Sequence, residues 1–355
     1  MSARFPAPSH GERISHALAS LRGLAVGDAL GSQFFVPDNL SALRRRELPP
    51  GLWKWTDDTE MAASVVAVLA AHGHVDQDAL AASFAEHHDF FRGYGPAVNR
   101  MLRLIHQEGG DWRELAAALF DGQGSWGNGG AMRVAPLGAW FADDPERAAE
   151  EAERSATVTH RHPEAVAGTR AVAAAAALVA GQAQARPETP GRTGGGADIG
   201  TGQGAGEARH GPATPSSPAA PAIPPASAVP TTPLTAERLL ARVQELVPRS
   251  AVQAGLRRAA DMLDYADVGT VAAVLGCGRR TSTQDTVPFT LWAAARNLGD
   301  FRAAFWTTAS AGGDVDTTCA IVGGIVAAGG PASAPPEEWR DRTEGFPGWL
   351  LDAVG

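Results

Sequence analysis

Two short acidic segments, far apart in the chain, place the strongest limit on how it can fold. The first is Trp55-Thr56-Asp57-Asp58-Thr59-Glu60-Met61 and the second is Gly312-Gly313-Asp314-Val315-Asp316-Thr317-Thr318-Cys319. Each leads directly into small apolar residues, AASVVAVLAA after the first and AIVGGIVAA after the second. Their apolar content predicts two buried helices. Capping accounts for one Asp or Thr at each helix start. It accounts neither for paired aspartates nor for the same Asp-Thr pair occurring twice. Side by side, two such helices bring four aspartates into one small volume. Carboxylates that close raise one another's pKa and repel unless cations lie between them. Asp and Thr offer only oxygen, the donor that hard divalent cations prefer. The two clusters therefore predict a site for two Mg²⁺ or Mn²⁺ ions, made by Thr56, Asp57, Asp58, Asp314, Asp316 and Thr317.

The rest of the chain agrees with a helical fold. Helical periodicity runs over 14–31, 57–72, 78–91, 111–120, 145–156, 163–181, 235–246 and 251–266. Alternation over a strand's length is hard to find, so the fold class is all-α, with loops carrying the chemistry. Small residues inside helices, such as Gly23, Gly27, Gly31, Gly323 and Gly324, predict close helix–helix approach. Over 182–234 the composition changes to Pro, Gly, Ala, Ser and Thr with almost no large apolar side chain. Such a segment cannot offset its ordering entropy and reads as a disordered insertion. The expected organisation is one discontinuous helical domain, 12–181 with 235–330, followed by a C-terminal appendage over 331–355 that packs on it.

Several function classes are disfavoured at this point. A formal net charge of -9 argues against a broad nucleic-acid-binding face. The run over 172–181 is too short to cross a bilayer, so no membrane partner is expected. Two cysteines, Cys277 and Cys319, do not make a disulfide framework, and a cytoplasmic setting is expected. Both thiols read as structural. Asp285-Thr286-Val287-Pro288 repeats the Asp-Thr pair, and its proline points to a turn or helix start.

A third segment, Gly124-Ser125-Trp126-Gly127-Asn128-Gly129-Gly130-Ala131-Met132-Arg133, is dense in glycine. Glycines let backbone amides approach a ligand and form an anion nest. The segment lacks the Lys-Ser/Thr end of a nucleoside-triphosphate loop.

Taken in order, GLAVGDALGS, WTDDTEM, GSWGNGGAMRVAPLG, THRHPEA and AGGDVDTT resemble the ADP-ribosylglycohydrolase family. The resemblance spans roughly residues 14–330 without the insertion, and it implies a single orthogonal multi-helix domain with a dinuclear Mg²⁺ or Mn²⁺ centre in a cleft. The implied activity is hydrolysis of the glycosidic bond joining ADP-ribose to a protein side chain or small acceptor. Nucleic acid enters only as a modified substrate. The wording of RGYG and GSWGNGG is closest to the branch acting on O-linked ADP-ribose, as on serine. The resemblance assigns the same six metal ligands and implies that Gly124, Ser125, Trp126, Gly127 and Asn128 hold the diphosphate and ribose. It also sets His160 at the ligand cleft. Asp314, Asp316 and Asp58 are the candidate catalytic residues, with Asp314 or Asp316 accepting a proton. In one respect the chain departs from the family pattern: Phe35 stands where a glutamate is common. Asp38 and Glu60 are possible substitutes, unless Glu60 serves its own helix start. The departure makes an ADP-ribose-binding protein with weak or no turnover the alternative reading.

Overall fold

The first helix, His10–Ser32, begins earlier than its periodicity predicts because Ser9 and Glu12 form a reciprocal capping box. Ser9 Oγ accepts from the Glu12 amide at 3.3 Å, and the Ser9 amide donates to Glu12 Oε2 at 2.7 Å. The helix lies antiparallel to Val315–Ala327, the helix that opens with the second acidic segment. Gly23, Gly27 and Gly31 line the contact at four-residue spacing, facing Ala327 and Gly323, Cys319, and Val315 in turn. A Cβ on Gly27 would lie 2.1 Å from the Cys319 carbonyl oxygen, so the two backbones nearly touch. That closeness brings Asp28 beside Asp316.

A computed structural model describes residues 7–184 and 233–355. The predicted insertion, apart from its ends, lies outside these residues. The chain is all-α: among the described residues, extended pairing is limited to two isolated bridges, Trp53 with Thr343 and Gly127 with Ser282. Residues on both sides of the insertion belong to one compact unit. The first acidic segment opens the helix Asp57–His72, with the predicted bounds and Thr56 as its cap. The run over 172–181, expected to be too short to span a bilayer, belongs to the 22-residue helix Pro163–Gln184. By length and composition that helix is able to cross a membrane, yet its alanine-rich surface is mostly buried inside the protein.

Further local expectations differ from what forms, among them the helix predicted over 111–120, which spans Trp112–Ala118. The helix predicted over 78–91 ends at Glu86, and a separate 3₁₀ turn, Phe90–Arg92, follows. Asp89 breaks the run, because its side chain caps the Phe91 amide at 2.9 Å while its own amide donates to Glu60. The helix predicted over 251–266 stops at Asp261, where the Met262 carbonyl accepts from Trp292 Nε1. Pro288, expected at a turn or helix start, lies inside the helix Thr283–Arg296. The proline ring occupies the space left by Gly255, where a Cβ would lie 2.4 Å from Pro288 Cγ. That packing offsets the lost backbone hydrogen bond.

The last residues of the chain lock the approach to the first acidic segment. Trp339 is fully buried against Phe301, Phe305 and Trp306. The Trp53 amide donates to the Arg342 carbonyl and the Glu344 amide returns a bond to the Trp53 carbonyl. Arg92 makes a forked pair with Glu344 at 2.7 and 3.0 Å, donates to the Trp55 carbonyl and lies 3.5 Å from the Trp55 ring centre. Glu344→Gln removes the charge from this partly buried fork. We expect a stability loss of about 1 kcal/mol in urea denaturation.

Candidate active site

Asp28, which sequence reasoning missed, is the buried floor of the acidic site. It is fully shielded from solvent inside the first helix and binds the turn that begins Asp57–His72. Its carboxylate accepts the amides of Thr56 and Thr59 at 2.9 and 3.2 Å and their hydroxyls at 2.8 and 2.5 Å. Burial pushes its pKa up to about 6 in spite of those four donors. The signal available in sequence was the Asp inside GLAVGDALGS, an acid in an otherwise apolar, small-residue helix.

Above Asp28 the two predicted clusters meet. Oxygens of Asp28, Asp58 and Asp316 all lie within 4.8 Å of one another. The Thr317 hydroxyl reaches Asp58 Oδ2 at 3.4 Å, and the Thr56 hydroxyl lies 3.0 Å from the same oxygen. Thr56 has one hydroxyl proton, and donating it to Asp28 leaves none for Asp58 Oδ2. Burial first, then repulsion by neighbouring aspartates, raises Asp58 and Asp316 well above the usual carboxylate range and takes Asp57 to about 8. Asp314 is also raised by burial, against the lowering effect of Asn128.

The donor set fits divalent cations on an observation of its own. Asp58 Oδ1 is buried and has no hydrogen-bond partner. An unpaired buried carboxylate oxygen is costly, and a cation among Asp28, Asp58 and Asp316 would satisfy it. Of the predicted ligands, Asp57, Asp314, Asp316 and Thr317 wall an open cleft of about 420 Å³, whereas Asp58 and Thr56 do not line it.

The glycine loop lines the same cleft. Ser125, Trp126, Gly127, Asn128 and Gly129 do so together with His160. Gly124 does not: it turns with φ +75° against Arg161 and His162. The loop is pinned by residues before and at the start of Thr283–Arg296. The Thr283 amide and hydroxyl donate to the carbonyls of Trp126 and Gly127 at 3.0 and 2.6 Å, and the Asn128 amide donates to Thr281. The nest reading is thereby narrowed, since the Gly127 and Asn128 amides are committed to Ser125 Oγ and the Thr281 carbonyl. Asn128 instead works through its side chain, donating from Nδ2 to Asp314 Oδ2 at 2.7 Å and to the buried Thr286 hydroxyl at 3.1 Å.

His160 lies under the loop, where a Cβ on Gly129 would come within 2.8 Å of its ring. Arg280, Thr281 and Phe120 also wall the cleft, and sequence reasoning passed over all three. Trp126 stands between Phe120, at 4.9 Å between ring centres, and His162, at 5.7 Å edge-on.

Neither possible substitute for a glutamate reaches this cleft. Glu60 does not serve its own helix start: it is buried and accepts from the Tyr94 hydroxyl at 2.7 Å and the Asp89 amide at 3.1 Å. Asp38 is exposed, and Phe35, at 53% exposure, stands outside the walls described above.

The comparisons agree with this geometry. A family model described as ADP-ribosylglycohydrolase matches residues 9–354. The ADP-ribosylhydrolase ARH3 of Gallus gallus is 38% identical over 160 residues, 39% of this chain and 43% of that protein. ARH3 of Homo sapiens is 34% identical over 164 residues, 41% and 45% of the two chains. The match thus spans less than half the length of these curated relatives. A solved structure described as an ADP-ribosylglycohydrolase-related protein complex shares the fold. It has a TM-score of 0.55 at 22% identity and covers 97% of this chain and 95% of that one. This chain belongs to the ADP-ribosylglycohydrolase family.

Proposed function

We propose that this chain hydrolyses the glycosidic bond joining ADP-ribose to a protein side chain or small acceptor, with two Mg²⁺ or Mn²⁺ ions. The observation that carries the reading is the unpartnered Asp58 oxygen within an aspartate cluster whose Asp316 lines the same cleft as the glycine loop. Divalent cations held there would supply Lewis acidity and would let the aspartates stay ionised.

The chain's own residues supply the remainder. Cleavage at an anomeric carbon passes through an oxocarbenium-like state, which favours negative charge beneath the sugar. Asp314 and Asp316 face the cleft and provide it. Asn128 holds one Asp314 oxygen in place, and Asp314 or Asp316 is the proton acceptor. Arg280 and Ser125 line the cleft as polar residues that would suit a diphosphate, while Phe120 and Trp126 give it an aromatic wall for a base. The resemblance of RGYG and GSWGNGG, with the likeness to the ARH3 proteins, favours an O-linked acceptor such as serine.

A second reading is favoured by one observation: Phe35, at the position where a glutamate is common, stands outside the cleft walls. A protein that binds ADP-ribose without turnover is its consequence. Incubation with ADP-ribosylated serine and arginine peptides separates the two. Release of free ADP-ribose from the serine peptide with Mg²⁺, stopped by EDTA, is expected. Calorimetric binding of ADP-ribose with no release from either peptide would replace the hydrolase reading with the second one.

A further inference from the structure

We infer that Arg133, through Thr159, holds His160 as the neutral tautomer with its proton on Nε2, presenting an uncharged donor to a ligand oxygen in the cleft. Arg133 is fully buried and, among the described residues, has no carboxylate partner. It donates from Nη1 to Thr159 Oγ1 at 2.9 Å and from Nη2 to the Ser155 carbonyl at 2.6 Å, and its guanidinium lies 4.5 Å from the Phe84 ring centre. A guanidinium has no acceptor atom, so Thr159 accepts in the first of these bonds.

The direction of the next bond follows. Thr159 Oγ1 lies 2.7 Å from His160 Nδ1. A hydroxyl oxygen can accept twice, but among the described residues the Thr159 hydrogen has no other acceptor, and leaving it unpaired in the interior is costly, so it donates to Nδ1. Nδ1 is therefore the acceptor, and the ring proton belongs on Nε2. The charge state agrees: burial first, and then the neighbouring Arg133 charge, takes His160 down to about 3, so imidazolium is disfavoured at neutral pH. Nε2 lies near the positions that Cβ atoms on Gly127 and Gly129 would take, 3.2 and 3.0 Å away, and the ring lines the cleft. These glycines are what allows a donor to stand at the cleft wall. A buried cation without a counterion is costly to keep. Here it acts as a positioning residue, because it fixes which way the threonine hydroxyl points.

The inference rests on the proposed function only for the identity of the ligand, a phosphate or ribose oxygen of ADP-ribose. Histidine ¹⁵N spectra of the ligand-free protein at pH 7, with His160 assigned by its absence in His160→Asn, read the tautomer directly. A single Nε2–H signature is expected; an Nδ1–H ring or an imidazolium would overturn the inference whatever the variants do. Thr159→Val should give mixed tautomers and a Kd for ADP-ribose, measured with Mg²⁺, about tenfold weaker. Thr159→Ser should restore both. An unchanged tautomer in Thr159→Val overturns the relay, and a shifted tautomer with an unchanged Kd overturns the donor role. Wild-type protein that shows the Nε2–H signature but binds no ADP-ribose would instead count against the proposed function.

Discussion

Asp316→Asn should make the metal-free protein more stable while abolishing its response to Mg²⁺ or Mn²⁺. Burial, then repulsion from Asp314, Asp28 and Asp57, raises the Asp316 pKa well above the usual range. An amide is nearly isosteric with the carboxylate, and its carbonyl oxygen keeps the bond from the Thr317 amide, now 2.7 Å to Asp316 Oδ1. Relieving about 1 kcal/mol of repulsion corresponds to a melting temperature roughly 2–4 °C higher without metal. With one oxygen donor set neutralised, cation affinity should fall by roughly 100-fold or more. Thermal melts with and without Mg²⁺ read both effects. Wild-type stabilisation by Mg²⁺ in the variant would remove Asp316 from the metal centre.

The same cluster sets a pH dependence with a definite sign. Asp57 is taken from 3.8 to about 8 and Asp28 from 3.8 to about 6 on folding. The folded state therefore holds protons that the unfolded chain has released, and the metal-free protein loses stability as pH rises through this window. Melts at a series of pH values should show that slope without Mg²⁺. They should show a flatter one with Mg²⁺ and a reduced one in Asp316→Asn.

Gly27→Ala is expected to destabilise the protein by about 2–3 kcal/mol or more. On helix propensity alone the change is favourable by about 1 kcal/mol. The new methyl group, however, would lie 2.1 Å from the Cys319 carbonyl oxygen, and a backbone atom has no rotamer with which to move aside. Overpacking of this kind typically costs 1–3 kcal/mol, occasionally more, and here relief requires the two helices to separate. Separation also parts Asp28 from Asp316, so cation-dependent stabilisation should fall with stability. Gly11→Ala in the same helix has nothing within 4 Å and is the control, expected to be neutral or slightly stabilising. Equal stability of the two variants in urea would show that the helices are not in the tight contact described.

Local physics made much of this site legible. The bounds of Asp57–His72 follow from a threonine cap and an apolar run that ends at Gly73, whose φ of +73° favours glycine. The chemistry of the two acidic segments was readable because charge that dense needs a remedy wherever it is buried. Gly124 shows the limit: it belongs to the glycine loop in sequence, yet its turn faces Arg161 and His162 instead of the cleft.

Residue types and short spacings determined the helical class, the two oxygen-rich acidic segments and the glycine loop, since these depend on neighbours along the chain. Which partners those groups meet was decided only by the packing. Asp28 has the sequence appearance of an acid stranded in a helix, and it becomes the floor of the site when Gly27 lets that helix close on Val315–Ala327. Arg133 is likewise one more basic residue until the fold buries it beside Thr159. Hydrogen bonds and repulsions between residues remote in sequence leave no periodicity to read, because they come into being only once the helices share a core.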